Sequence, residues 1–343
     1  MKGLRKYLTP FAPDQSGAES VLYPLGGMLV ILDAGGCTGN ICGFDEPRWQ
    51  AAKSAVFSAG LRDMDAIMGR DKMLVKKIVE SCARVKANFV AIIGTPVPAV
   101  IATDYSAIRR MLEKQLQLPI LTIPSNGMQL YDKGASKAYE ALFAAYATES
   151  HPVTKGHIGV LGAIPLAMPT TGSAESIRTT LNAQGATKVC LYGVDASLSD
   201  VSMASANEKN MVVSPCGLAA AIDLEKRFGT PYEVTYPDCV SLLPDKDFSG
   251  KKGLIVQQQV LANSLRDALP GADCQVASWF TMDKESMRAD DIFLKEEHEF
   301  QALFEKTNYD FIIGDSVLQP MIKHGTPQFI PLPEFAISGK LEI

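Results

Sequence analysis

Residues 33–42 read Asp-Ala-Gly-Gly-Cys-Thr-Gly-Asn-Ile-Cys, directly after the apolar run Met28–Leu32. Two cysteines five positions apart in a glycine-rich loop leaving a strand can hold a metal, form a redox pair, or pack without function. Gly35, Gly36, Gly39 and Gly43 surround Cys37 and Cys42. Glycines let backbone N–H groups come close and leave space for an inorganic cluster. Thiolates are the usual ligands of iron–sulfur clusters, whose potentials respond to hydrogen bonds on sulfur and to burial. Two cysteines fall short of the four that an ordinary [4Fe–4S] cluster takes, so a cluster here needs a second source of ligands.

The other five of the seven cysteines read differently. Cys82 shares a helical face with Leu74 and Ile78, which is a core stripe, and free cysteine packs as a small hydrophobe, so Cys82 is a secondary candidate for a metal ligand behind Cys37 and Cys42. Cys190 lies within a strand pattern, whereas Cys239 and Cys274 stand in polar, loop-like stretches. Cys216, in Ser-Pro-Cys-Gly, falls near a helix N-terminus, where a thiol pKa is lowered; packing is the preferred reading. An odd number of cysteines argues against a disulfide framework.

Short β-branched runs alternate with helical patterns along nearly the whole chain. Strands are expected at Met28–Asp33, Phe89–Gly94, Ile120–Pro124, His157–Gly162, Lys188–Gly193, Met211–Ser214, Gly253–Gln257, Asp310–Gly314 and Gln328–Leu332. Amphipathic helices are expected at Asp71–Val85, Tyr105–Leu116, Lys133–Ala147, Ser173–Gln184, Gly217–Phe228 and Lys295–Thr307. Strands apolar on both faces and separated by helices imply an α/β fold with parallel sheets. Several strands end in turns just before a helix (IIGTP, TIPSNG, VLGAIP, VVSPCG, IIGDS), and ligands in open α/β sheets bind beyond such carboxyl ends. Breaks near residues 151–155 and 244–250 divide the chain into three units, at 1–150, 151–245 and 246–343.

The bulk properties narrow the partners. The 343 residues are 47% hydrophobic and 21% charged with a net charge of −5, and no Lys/Arg stripe forms, so neither nucleic acid nor an anionic membrane surface is an expected partner. The first residues carry no apolar signal core, and Gly94, Pro96 and Pro98 interrupt the longest apolar run, so a cytoplasmic protein is expected.

With these residues in view, the chain resembles the nitrogenase component 1 superfamily, which includes the dark-operative protochlorophyllide reductase subunits and the reductive cyclase of nickel-tetrapyrrole biosynthesis. Three ordered blocks carry the resemblance: VILDAGGCTGNICGFDEPRW with the following SAVFSAGLRDMDAIMGRDKMLVKKI, then FVAIIGTPVPAVIATDYSAI, then DFIIGDSVLQPMIKHGTPQFIPLPEF. NMVVSPCGLAAAIDLEKRFGTPY is similar to the family's second strand–helix unit. The resemblance implies three Rossmann-like subdomains around a central cleft, paired as a homodimer or a heterodimer with a homologous subunit. A [4Fe–4S] cluster would lie at the interface, with Cys37 and Cys42 of two subunits giving four thiolates and Gly36 beside the cluster. No cysteine precedes Cys37, so Asp14 is the nearby substitute ligand. Thr95 and Pro96 stand where another family ligand would fall, and no Cys and His pair matches an iron–molybdenum site.

The activity implied is that of an electron-accepting oxidoreductase component. It would receive low-potential electrons from a separate ATP-hydrolysing, iron-protein-like reductase and reduce a small molecule, tetrapyrrole-like or other. The chain has no G-x₄-G-K-[ST] motif, so no nucleotide is expected on it. Asp45, Glu46 and Arg48 follow the cysteine loop and are the candidates for protonation chemistry, against the reading of a solvated turn. Asp315, at a strand end, is a candidate ligand contact, and His324 reads as a helix-end histidine. The alternative to turnover is a scaffold that holds a metal cluster during assembly.

Overall fold

A computed structural model describes residues 5–49 and 53–340; the start of the chain read above for a leader lies partly outside them. Three sheets form, and within each, neighbouring strands run parallel. The first contains β1 (Met28–Ile31), β2 (Ala55–Ser58), β3 (Val90–Ile93) and β4 (Ile120–Ile123), in the order β2-β1-β3-β4. The second contains β5 (Thr154–Leu161), β6 (Lys188–Leu191), β7 (Asn207–Val212) and β8 (Tyr232–Val234), in the order β6-β5-β7-β8. The third contains β9 (Lys252–Val256), β10 (Asp273–Ser278), β11 (Ile292–Phe293), β12 (Phe311–Gly314) and β13 (Gln328–Pro331), in the order β11-β10-β9-β12-β13. This is the α/β architecture of three Rossmann-like subdomains expected from the sequence.

All nine expected strands form, and four more join them. The edge strands β2, β8 and β11 are short and largely uncovered, so they carry little of the apolar signal that marks a buried strand. Inside the third sheet, β10 reads Asp-Cys-Gln-Val-Ala-Ser. Its polar start hid it, and pairing with β9 buries Cys274 to 4% exposure where a loop was expected. Cys239, also read as loop, is buried in a short helical turn.

Period-two alternation splits the first sheet's side chains between its faces. Leu29, Ile31, Ala91 and Ile93 join one hydrophobic cluster, while Met28, Val30, Val90 and Ile92 join another with Leu74, Val75 and Ile78 of the Asp71–Cys82 helix.

The most consequential element was not evident in the sequence. Residues Asp14–Leu22, DQSGAESVL, form a helix in which every residue is buried. So many polar side chains read as surface, yet most are satisfied internally. Asp14 accepts N–H bonds from Asn126 (2.9 Å) and Gly127 (2.7 Å), and Ser16 donates to Asp45 at 2.6 Å. The helix crosses the Tyr131–Tyr146 helix with backbone against backbone. A Cβ added at Gly17 would stand 1.8 Å from the Tyr131 carbonyl oxygen, and one at Gly134 would stand 1.7 Å from that of Asp14.

From this crossing the three units are tied together. Thr281 N–H donates to Asp132 at 2.8 Å, Gln258 Nε2 donates to the Val213 carbonyl at 2.8 Å, and the Glu297 carboxylate takes the N–H groups of Lys6, Tyr7 and Leu8. Edge-to-face rings add to these contacts, Tyr131 on Phe280 at 4.8 Å and Phe143 on Tyr192 at 5.0 Å. In an exposed helix Gly→Ala stabilises by about 1 kcal/mol. At Gly134 the sign should invert, with a loss of at least the ~1–3 kcal/mol typical of overpacking. A lowered urea midpoint for Gly134→Ala, beside an unchanged one for the exposed Glu140→Ala, would confirm the crossing; equal midpoints would refute it.

Candidate functional site

The cysteine loop is built from the carboxyl end of β1. Asp33, 2% exposed, accepts bonds from Thr38 N–H (2.8 Å), Thr38 Oγ1 (3.0 Å) and Ser58 Oγ (2.6 Å), which fastens the following helix to β1 and β2. Gly35 turns the chain at φ 120°, a conformation that side-chain-bearing residues rarely adopt. A short α-helical segment, Gly36–Asn40, then widens into a π-helical turn at Ile41–Asp45, anchored from below by the fully buried Ile41. Such π turns occur frequently at functional sites. A Cβ at Gly36, Gly39 or Gly43 would meet nothing within 4 Å, so the loop has open space on several sides.

Cys37 and Cys42 are each half-buried on this helix. Five residues at 100° each put them about 140° apart on an α-helical wheel, and they face different surroundings. Cys37 opens onto a cavity of about 720 Å³, and Cys42 does not line it. The cavity is larger than four others in the described residues and lies where the three subdomains meet. Gln15 and Cys37 contribute one side, Phe44 and Asp45 continue the loop wall, Leu166 comes from beyond β5, and Phe335 from beyond β13. These walls lie past the carboxyl ends of strands, the position at which α/β folds bind ligands.

Both thiols are held in their protonated form. Burial raises the Cys37 pKa and the neighbouring Asp33 raises it further, against a smaller opposing effect from the Thr95 hydroxyl. Burial also raises Cys42, with Glu19 as the next cause. Metal ligation must therefore release protons. The donor set fits part of a cluster site: two thiols, and glycines that leave room. Among the described residues, however, no three His, Cys, Asp or Glu side chains come together to hold a metal. A cluster on this loop thus needs ligands from another chain. In metal-free protein, iodoacetamide should alkylate Cys37 and Cys42 more slowly at pH 8 than it alkylates free cysteine, with rates still rising at pH 9. Rates equal to free cysteine would show that the thiols are not shifted.

The remaining sequence candidates separate by location. Asp45 lines the cavity; burial raises its pKa, and bonds from Ser16 and Asn40 oppose the shift. Arg48 is engaged on all sides. It pairs with the buried Glu46 at 2.6 Å and donates to the Ser20 carbonyl (2.7 Å) and the Gly193 carbonyl (2.6 Å), which makes it a strut between the first and second subdomains. The Asp14 carboxylate is committed to the backbone of residues 126 and 127. Asp315, 4% exposed, caps Val317 and Glu334 N–H groups and does not line the cavity. Cys82 packs with the cluster on the opposite face of the first sheet from Cys37. Cys216 is buried with its pKa pushed up to about 12, chiefly by burial, and its Sγ lies 3.0 Å from Ser214 Oγ. His324 is exposed.

Sequence reading missed Gln15, Phe44, Leu166 and Phe335 in the cavity wall, and also Glu19 behind the loop. Glu19 is 1% exposed, and neither carboxylate oxygen has a donor partner. Burial and the adjacent Glu46 raise its pKa well above the ordinary value, so it carries a proton and shares it with Glu46. An acidic residue within the otherwise helix-compatible GAESVL was the available signal. As pH climbs above the unfolded-state value of 4.5, the unfolded chain releases this proton while the folded chain keeps it, so stability falls. Glu19→Gln retains a donor to Glu46 and cannot ionise. Its melting temperature should fall less than the wild type's between pH 5 and 8, with the equally buried Glu334 supplying the slope that remains. Parallel curves would show that Glu19 ionises normally.

With this geometry in place, comparison with known proteins gives a consistent result. The family profile described as "Nitrogenase component 1 type Oxidoreductase" matches residues 14–237. Two solved structures, "Nitrogenase Cp1 at pH 6.5" and "Nitrogenase Cp1 at pH 5", superpose with a TM-score of 0.69 each. Their identities are 10% and 14%; they cover 97% and 98% of this chain and 88% and 85% of their own, a likeness of fold. No curated protein matches. The chain belongs to the nitrogenase component 1 type oxidoreductase family. Members of that family generally bind iron–sulfur clusters, form oligomers and work with a reductase partner. No helix among the described residues is long and apolar enough to cross a membrane.

Proposed function

We propose that this chain is the electron-accepting component of a two-component, nitrogenase-like reductase. In this reading it holds a [4Fe–4S] cluster shared across a dimer interface and reduces a small molecule in the chamber beside Cys37. The observation that carries the reading is the Cys37 thiol opening onto a chamber walled by all three subdomains. The cluster would supply single electrons at low potential. Cys37 would hold it from the chamber side, Cys42 would complete this chain's share, and Gly36 would let the backbone approach. The other thiolates would come from a second copy or a homologous subunit. Asp45, whose raised pKa keeps a proton to higher pH than an ordinary carboxyl, would hold a proton at the chamber wall for delivery to substrate. Arg48, Glu46 and Asp33 fix the loop and do no chemistry. Electrons would arrive from a separate ATP-hydrolysing, iron-protein-like partner.

The test is anaerobic purification followed by iron, acid-labile sulfide and EPR measurements on wild type, Cys37→Ala and Cys42→Ala. About four irons per dimer are expected, with loss in both variants while circular dichroism stays unchanged. Iron that transfers to an added apo-acceptor protein, with none oxidised by a bound substrate, would favour the assembly scaffold. Absence of iron from folded wild-type protein would remove the redox reading.

A further inference from the structure

On the face of the first sheet opposite Cys37, two helices cover three of the four strands. The Asp71–Cys82 and Tyr105–Glu113 helices pack Leu74, Ile78, Ile108 and Leu112 against the side chains of β1, β3 and β4. Strands of parallel sheets are ordinarily covered on both faces. Here the cover stops short of β2, and Phe57 is left half-buried beside a groove of about 270 Å³. Met28, Val30 and Phe57 line this groove from the sheet, and Leu74 and Ile78 line it from the first of the two helices.

Two further features of the groove favour one kind of occupant. The first is β2 itself, which stands at the end of its sheet. Ala55 N–H donates to the Gly27 carbonyl and Ala59 N–H to that of Ile31, at 3.0 and 2.8 Å. In a parallel ladder the residues between them, Val56 and Ser58, therefore turn their backbone N–H and C=O groups to the open edge. An open strand edge is a template for pairing with another chain.

The second feature is charge. Lys77, on the helix, and Arg84, in the turn that ends it, both line the groove, and neither side chain has an ion pair or a hydrogen bond among the described residues. Glu80, the carboxylate of the lining, faces Lys76 at 3.8 Å. The rim thus offers two free cations beside an apolar floor, on a chain whose net charge is −5. Lys77 and Arg84 are about 10 Å apart at helical rise. Residues i and i+4 of a strand lie about 13 Å apart on one face, a span that long side chains can match.

We infer that this edge is a docking site for an extended acidic segment of a partner protein. The segment adds as a fifth strand beside β2 and bonds to the Val56 and Ser58 backbone. It lays an apolar side chain on Phe57, and acidic side chains two positions before and after that residue meet Lys77 and Arg84. The site lies across the sheet from the cysteine loop and is independent of the proposed cluster, reductase and reaction.

The test uses a fluorescein-labelled peptide, Thr-Glu-Thr-Val-Thr-Glu-Thr, titrated into the full-length protein and read by anisotropy. Saturable binding of one peptide per chain is expected, at least about fivefold tighter than for the copy with Lys in place of Glu. That binding should weaken with added salt. The double variant Lys77→Glu/Arg84→Glu, folded by circular dichroism, should reverse the preference. Backbone pairing is read with two further copies N-methylated at alternate residues, one on each edge of the strand. One copy should lose binding and the other keep it, since only one edge faces β2. No saturable binding, equal affinity for the Lys copy, or a preference unchanged by the charge reversal would overturn the inference. Equal binding by both N-methylated copies, with displacement by octanoate, would also overturn it and assign the groove to a small apolar anion.

Discussion

The close crossing of the Asp14–Leu22 and Tyr131–Tyr146 helices is the constraint on which the rest of the structure depends. Gly17 and Gly134 each lack the one carbon that would collide with the opposing backbone. Contact at that range lets a helix rich in polar residues sit in the centre of the molecule. Its first carboxylate then captures the turn after β4, its Ser16 captures the cysteine loop, and its Gln15 lines the chamber. Any increase in helix separation would move those three contacts together, because they hang from one rigid element. The site is therefore coupled to a packing detail that performs no chemistry itself.

Around that helix the molecule concentrates acids and keeps cations engaged. Arg48 is the principal positive charge behind the loop, and Glu46 with two carbonyl oxygens occupies it. Glu19 has no cation of its own and stays protonated against Glu46; Glu334, beside Asp315, is likewise buried with its pKa well above the usual range. A neutral protonated carboxyl costs less to bury than a carboxylate. Burial first, and then the acidic neighbours Asp33 and Glu19, raise the pKa of the two free thiols. Binding a metal through these thiols has to release their protons against that environment.

Much of the fold was legible because parallel α/β sheets write a strong signal. Runs such as Met28–Leu32 and Phe89–Ile93 are apolar on both faces, since helices cover both, and glycines and prolines mark where they stop. The exceptions share a cause: β2, β8 and β11 are edges with little to bury, and β10 owes its strand state to pairing with β9 more than to its own composition. The Asp14–Leu22 helix failed to show because polar residues read as surface when their partners, Asn126, Gly127 and Asp45, cannot be seen.

The candidate site divides along the same line. Cys37, Cys42, the glycines around them and Asp45 are contiguous, so their residue types and spacing marked the loop while leaving metal, redox and packing roles open, and the family resemblance supplied the cluster reading. That information is local, and local sequence determined it. The chamber joins Gln15 to Leu166 and Phe335, residues separated by most of the chain, and no spacing rule links them. Which thiol faces that chamber, which carboxyl stays protonated and which arginine is spent as a strut are decided by distances between subdomains. Those distances follow from how three sheets dock around one buried helix, so only the tertiary structure settled them.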